Sequence, residues 1–459
     1  MRITVALILL FSLFMPGKVF ANAAPVYLEK YPGFSIAPMQ DCPLRVEKEE
    51  LIFRIDGHDS SQAIVTAKYT LVNTSGDAVV VPMVFPAVSD GYGGGTAVEI
   101  TFNGKAVDYE SYIAGSVDVR DYLANPAGFN SQVDINTIID NLNEALHETQ
   151  NFDDHAFTSL YKVTFQPPAE RQSKVSFKID PQKTRILTFG FSGFSINQHG
   201  ECTVSTYVSE RNLADTGYIL VLGEDTLHSI EVEYEDTQEK SSVKAREFIL
   251  SKLDGDEFAW IDLERRNLDN LYSYFIREMD RSFTGTQTAF SGSMVIENIY
   301  GVHNISALLY EVEFAAGSVN ELQLTYPMRA TMDRRKTRDY VNTFAYLLNP
   351  ARKFMDFGTM DIQIELNSHS PHIIESSLPL VEAGGGVYTL SLEGLPEQDL
   401  VFSTYPQKEI TYLDSAAARL LPRGYGGLFT VLAGAVLLLA VVGIAVYAAR
   451  RGASGFKAK

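Results

Sequence analysis

Cysteine is scarce in this chain of 459 residues, which has only Cys42 and Cys202. A structural zinc site takes four ligands, so two lone cysteines do not make one. Outside the cytoplasm an isolated pair can form a disulfide. A Cys42–Cys202 bond would close a loop of about 160 residues and contribute about 4–5 kcal/mol in the chain-entropy model. The sequence leaves open whether the two sulfur atoms meet.

Positive charge is also scarce, with 38 Lys and Arg against 57 Asp and Glu and a formal net charge of −19. Two cations lie in the N-terminal 23 residues and four in the last ten. The segment between these ends therefore keeps 32 basic and 57 acidic side chains, a formal charge of −25. Such a surface repels nucleic acid and anionic lipid heads, so we expect no nucleic-acid partner.

Complete catalytic motifs are missing as well. Residues 190–193 are one residue short of a GxSxG nucleophile elbow, and no second histidine follows His147-Glu148 at the HExxH position. No Gly-Lys-Ser/Thr follows the glycine-rich residues 91–95, so they are not a phosphate loop. We therefore predict a protein that is not an enzyme, with no catalytic residue, cofactor site or metal site.

Two weaker patterns need separate mention. His369 and His372 could offer two imidazoles to a metal, but Pro371 between them favours a solvated loop. The acidic clusters at 153–155 and 254–257 lack EF-hand spacing, and exposed acidic turns are common. A weak calcium site in either cluster stays open.

Long apolar runs occur only at the two ends of the chain. At the N-terminus, Arg2 precedes an apolar run over 3–14, and small residues follow at Ala21 and Ala23. This is the pattern of a secretory signal peptide over 1–23, cleaved after Ala23, with Ala21 as the second choice. An uncleaved N-terminal anchor is the alternative.

At the C-terminus, no charged residue occurs from Gly427 to Ala449. This length spans a bilayer as a helix, so membrane lipid is an expected partner through 427–449. The basic tail, 450–459, is then cytoplasmic by the positive-inside rule. We predict a single-pass protein of the cell membrane with its body outside. Residues 421–424 (Leu-Pro-Arg-Gly) resemble the start of the LPxTG cell-wall sorting signal but lack its threonine.

Between the ends, many short apolar or alternating runs predict strands, separated by turn signals such as residues 73–77. The predicted fold class is mainly β, with two antiparallel β-sandwich domains in tandem and helical insertions. The predicted division is 24–240 (first sandwich, with a helical insertion at 134–148), 241–283 (helical), 284–405 (second sandwich, with a strand near 293–298) and 406–426 (juxtamembrane linker).

Helical spacing breaks the strand pattern at 134–148, where Asp134 is the predicted N-cap, and in two pieces between 242 and 279. A possible internal repeat, LYxVxF, occurs at 160–165 and 309–314 and supports the tandem arrangement.

The combination of a tethered β-rich body with no catalytic signature predicts a binding or adhesion module for a protein or glycan outside the cell. An accessory subunit of a membrane transport or secretion complex is the alternative, and an extracytoplasmic hydrolase is the third reading. This layout of signal peptide, exported β-rich body and C-terminal anchor resembles that of bacterial surface proteins.

Overall fold

A computed structural model describes residues 26–27, 33–89, 98–117, 133–166, 171–208, 216–234, 236–255, 265–283, 288–300, 303–335, 337–412 and 414. Ala23 and the predicted signal peptide lie outside these ranges, as do Gly427, Ala449 and the basic tail. In the described part of the chain, no helix is both long and apolar enough to cross a bilayer.

In chain order, the described strands are β1 (Val26–Tyr27), β2 (Gly33–Phe34), β3 (Ala37–Pro38), β4 (Leu44–Arg54), β5 (Gln62–Asn73), β6 (Val79–Ser89), β7 (Glu99–Phe102), β8 (Lys105–Ala106), β9 (Glu110–Val117), β10 (Phe157–Thr164), β11 (Arg171–Lys178), β12 (Thr184–Phe189), β13 (Gly193–Ile196), β14 (Glu201–Val208), β15 (Thr216–Gly223), β16 (His228–Val232), β17 (Thr237–Lys244), β18 (Ala289–Ser291), β19 (His303–Phe314), β20 (Val319–Arg329), β21 (Thr331–Asp333), β22 (Val341–Leu347), β23 (Asp356–Glu365), β24 (His372–Ser376), β25 (Val381–Gly384), β26 (Val387–Glu393) and β27 (Leu400–Tyr405).

The helices are α1 (Ile135–Asn143), α2 (Ala245–Leu253), α3 (Leu268–Ser282) and α4 (Gly292–Tyr300), with a 3-10 turn at Asn349–Lys353. Strands make up 53% of the described residues and helices 15%, which confirms the prediction of a mainly β protein.

Five sheets are described. The first three have the strand orders β25-β26-β23-β4-β5-β20-β7-β8, β3-β6-β19-β9 and β1-β21-β22-β27-β24, with β2 added beside β22. Their inner faces share one hydrophobic core, which also takes Ile135, Ile138 and Ile139 of α1. The other two have the orders β17-β10-β15-β12-β18 and β13-β14-β11-β16.

The pairing of the first three sheets does not follow the predicted tandem order. Strands β4, β5 and β6, from the first predicted sandwich, pair with β23, β20 and β19 from the second. Across all five described sheets, three strand pairs are parallel rather than antiparallel: β2–β22, β4–β23 and β12–β18. Alternation of apolar residues shows that a strand has a buried face, but it does not identify the neighbouring strand.

The middle of the chain forms the remaining two sheets. Strand β15 is buried on both sides. Leu220 and Leu222 pack with helices α2, α3 and α4 in a second core, whereas Ile219 and Val221 pack toward the sheet that contains β11 and β14 in a third core. Both LYxVxF segments are strands, in β10 and β19. An ancestral duplication stays a prediction.

Helices lie where they were predicted at α1, α2 and α3, but α1 ends at Asn143 and the predicted extension to residue 148 is not helical. Asp134 caps α1, where its side chain accepts hydrogen bonds from the backbone N–H groups of Asn136 and Thr137. The predicted strand near 293–298 is wrong, because this segment is α4. Its buried residues Val295, Ile296 and Ile299 follow helical spacing and pack into the second core.

Candidate binding groove

A groove lies on one face of the sheet that contains β6, β9 and β19. Leu309 of β19 stands opposite Glu110 of β9, and Glu311 stands opposite Pro82 of β6. Directly opposed residues point to the same side of a sheet, so these four side chains share a face. Tyr310, between Leu309 and Glu311, belongs to the core on the other side.

The groove has a volume of about 690 Å³. The end of β3, the segment before β9 and the end of α1 also contribute to its walls. Its lining residues are Met39, Gln40, Pro82, Asp108, Tyr109, Glu110, Tyr112, Asn143, Leu309, Tyr310 and Glu311.

The charges that line the groove are all negative. The described lining residues include three acids, Asp108, Glu110 and Glu311, and no lysine or arginine. Arg265 lies near the groove, with its guanidinium carbon 4.4 Å from the centroid of the Tyr109 ring. An aromatic face next to carboxylates attracts cations, and Arg265 already makes such a contact.

Glu110 is held in place by two donors. The Tyr112 hydroxyl donates to Oε2 of Glu110 at 2.7 Å, and Nδ2 of Asn267 donates to the same oxygen at 3.1 Å. Asn267 also caps α3, where its side chain accepts a hydrogen bond from the backbone N–H of Asn270. This wall of the groove is therefore fixed to the start of a helix.

These contacts determine the protonation of the pair. The hydrogen bonds from Tyr112 and Asn267 lower the pKa of Glu110. Burial, together with the neighbouring Glu110 carboxylate, raises the pKa of Tyr112 to about 12. At neutral pH the wall therefore presents a carboxylate beside a neutral phenol, an arrangement that accepts hydrogen bonds from a positively charged donor.

The structure leaves both cysteines as free thiols. Cys42 packs against the first core, whereas Cys202 lies in the core between the sheets of β15 and β14. Burial raises the pKa of the Cys202 thiol to about 12, so this thiol is protonated at neutral pH.

Among the described residues, the two weak metal patterns do not assemble into multi-ligand sites, and residues 256–257 of the second acidic cluster lie outside these ranges. Asp154 is buried and accepts a hydrogen bond from the Tyr272 hydroxyl at 2.6 Å, with Arg246 at 3.8 Å. Across the described ranges, no three His, Cys, Asp or Glu side chains lie close enough to hold one ion. His369 contacts His58 rather than His372. Residues 91–95 lie outside the described ranges.

Sequence reasoning missed the groove. Its clearest local signal is Asp108-Tyr109-Glu110-Ser111-Tyr112, where acids alternate with aromatic residues. The second wall, at 309–311, lies about 200 positions further along the chain and becomes a neighbour only through the pairing of β9 with β19.

The sequence matches no family model and no curated protein. Among solved structures, the chain is similar to a Legionella pneumophila protein described as a "putative nutrient binding protein". The identity is 9%, the TM-score is 0.36, and the match covers 85% of this chain and 74% of the other. A similarity at this level carries no argument about function.

Proposed function

We propose that this chain is a non-catalytic binding module that holds a ligand with an ammonium or guanidinium group in the groove. The observation that carries the proposal is the lining itself, which includes three carboxylates and the tyrosines Tyr109 and Tyr112 but no basic residue among the described lining residues. Carboxylates pair with such cations and aromatic faces attract them.

The lowered pKa of Glu110 argues against one catalytic role, that of a general acid. A carboxyl group that acts as a general acid at neutral pH needs a raised pKa. Hydrogen bonds move the pKa of Glu110 in the opposite direction. The fixed Tyr112–Glu110–Asn267 wall suits recognition of a positive group, whether on a small molecule or on a partner protein.

The groove makes a direct prediction about charge. Glu311→Gln should weaken binding of spermidine to the full chain by up to about fivefold, because one ion pair at an exposed site contributes about 0.2–1 kcal/mol. Isothermal titration calorimetry at low salt measures this change. Added salt should weaken binding by the wild type, because it screens the charges.

Glu313→Gln is the matched control, since Glu313 lies on the same strand and is exposed but does not line the groove. Its affinity should equal that of the wild type. Absence of spermidine binding by the wild type, or an equal loss in both variants, would reject the groove as the site.

We further propose that the module works outside the cell, tethered by 427–449. The supporting features are the charge-free run from Gly427 to Ala449, the basic tail after it and the N-terminal signal pattern. Full-length chain should stay in the pellet when cell membranes are washed with alkaline carbonate. A variant that stops after residue 426 should be released, and its retention in the pellet would contradict the anchor.

A further inference from the structure

Two histidines that are far apart in the chain meet at one edge of the eight-stranded sheet. Nδ1 of His58 and Nε2 of His369 lie 3.2 Å apart, and the two rings are nearly perpendicular. His58 lies between β4 and β5, and His369 lies between β23 and β24. Strands β4 and β23 are parallel neighbours, so their carboxyl ends, Arg54 and Glu365, pair at the same edge and bring the two loops together.

The two loops are fixed to each other by Asn367. Its Nδ2 donates to the carbonyl of Gly57 at 3.1 Å, and its Oδ1 accepts from the Ser60 hydroxyl at 3.1 Å. The same oxygen accepts from the backbone N–H of His369 at 3.1 Å. One side chain thus joins the two loops, and the Arg54–Glu365 ion pair at 2.9 Å joins the ends of the strands that lead into them.

We propose that His58 and His369 form a binding site for one divalent transition-metal ion such as Cu²⁺, Ni²⁺ or Zn²⁺. Two imidazole nitrogens bound to one such ion at about 2.0–2.1 Å, with an angle near 100–110°, lie about 3.1–3.4 Å apart. The separation of 3.2 Å falls in this range. Imidazole is a ligand that these three metals favour.

Metal binding requires a simple proton rearrangement. In the hydrogen-bonded pair, one of the two facing nitrogens carries the proton. Both rings are exposed, so the ring that donates this hydrogen bond can move its proton to its outer nitrogen, which leaves a lone pair on each facing nitrogen for the ion. The described residues supply no third His, Cys, Asp or Glu ligand at this edge. Water then completes the coordination, so the ion is exchangeable and protons compete with it.

This site belongs to different strands from the groove, so the two proposals fail independently. The test is titration of the full chain, in mild detergent, with Ni²⁺ alone. One ion should bind per chain, and His58→Gln or His369→Gln should weaken binding by at least about tenfold, the scale on which even outer ligand-supporting residues act. His199→Gln, at an exposed histidine in another loop, should bind as the wild type does.

Two further measurements separate the metal site from a folding effect. Asn367→Ala keeps both imidazoles but frees the loops, and it should also weaken Ni²⁺ binding. Electron paramagnetic resonance of the Cu²⁺-loaded chain should show two coordinated nitrogens in the wild type and one in His58→Gln. Unchanged Ni²⁺ affinity in both histidine variants, or an equal loss in His199→Gln, would overturn the proposal.

Discussion

At the scale of single residues, Glu49 has an unusual position. Its side chain is fully buried in the first core, near the hydroxyls of Tyr69 on β5 and Tyr346 on β22. Tyr326 on β20 also interacts electrostatically with Glu49. Neither carboxyl oxygen has a hydrogen-bond partner of good geometry. Burial raises the pKa of Glu49 to about 8, although the hydroxyls of Tyr69 and Tyr346 act in the opposite direction.

This pKa makes stability depend on pH. Between about pH 4.5 and 8 the native chain holds a proton on Glu49 that the unfolded chain has lost, so the free energy of unfolding falls as the pH rises through this window. The change amounts to a few kcal/mol and at most about 5, at roughly 1.4 kcal/mol per pKa unit. Glu49→Gln, which does not titrate, should lose this slope. Urea denaturation at pH 5 and pH 8.5 measures it.

The matched control for Glu49 is Glu50→Gln, one residue further along the same strand. Glu50 faces outward and pairs with Lys48 at 2.7 Å, so this variant should keep the slope of the wild type. If the free energy of unfolding changed by the same amount in Glu49→Gln and in the wild type between the two pH values, Glu49 would not be the titrating group.

At the scale of elements, a β-bulge explains why a charged residue points inward. Leu44 and Val46 are buried at the start of β4, but after Glu47 the buried positions shift to Glu49, Leu51 and Phe53. The register to β5 shifts between Val46 and Lys48. An extra residue in one strand reverses the faces that follow it. Gly358 of β23 lies against the Glu47 carbonyl, where a Cβ would collide.

Helix α4 shows the limit of local patterns at the same scale. Residues 293–298 contain a short apolar run that fits a strand as well as a helix. The helix forms because Val295, Ile296 and Ile299 reach the same core, and because Gly292 allows close approach to the Phe189 ring. By contrast, α3 has the longer stripe of Leu271, Tyr272, Phe275, Ile276 and Met279, which specified a helix without ambiguity.

At the scale of the whole molecule, the chain leaves one set of sheets and later returns to it. Strands β4 to β9 and β19 to β27 belong to the three sheets around the first core. The residues between these two groups of strands form the sheets of β10 to β18. The second and third cores are built from residues 160–299, with Ile113 of β9 as the one exception among their buried members.

This arrangement predicts which fragments fold. A fragment of residues 150–300 contains both sheets and their helices, so it should unfold cooperatively in urea when followed by circular dichroism. A fragment of residues 303–412 lacks β4, β5 and β6, the partners of β23, β20 and β19, and should not fold, because its strands would expose unpaired backbone groups.

Amide hydrogen exchange on both fragments provides the second readout. Protection in 150–300 and rapid exchange throughout 303–412 are expected. Cooperative unfolding of 303–412 alone would instead favour the tandem division predicted from the sequence.

The sequence alone determined the mainly β class, the cap at Asp134 and the apolar faces of α1 and α3, because these depend on spacing within one segment. Only the tertiary structure decided which strands pair, and therefore where the groove lies. It also decided that His58 meets His369 and that Glu49 is buried. The physical reason is that such contacts join segments hundreds of residues apart through backbone hydrogen bonds, which are the same for every side chain and leave no local pattern.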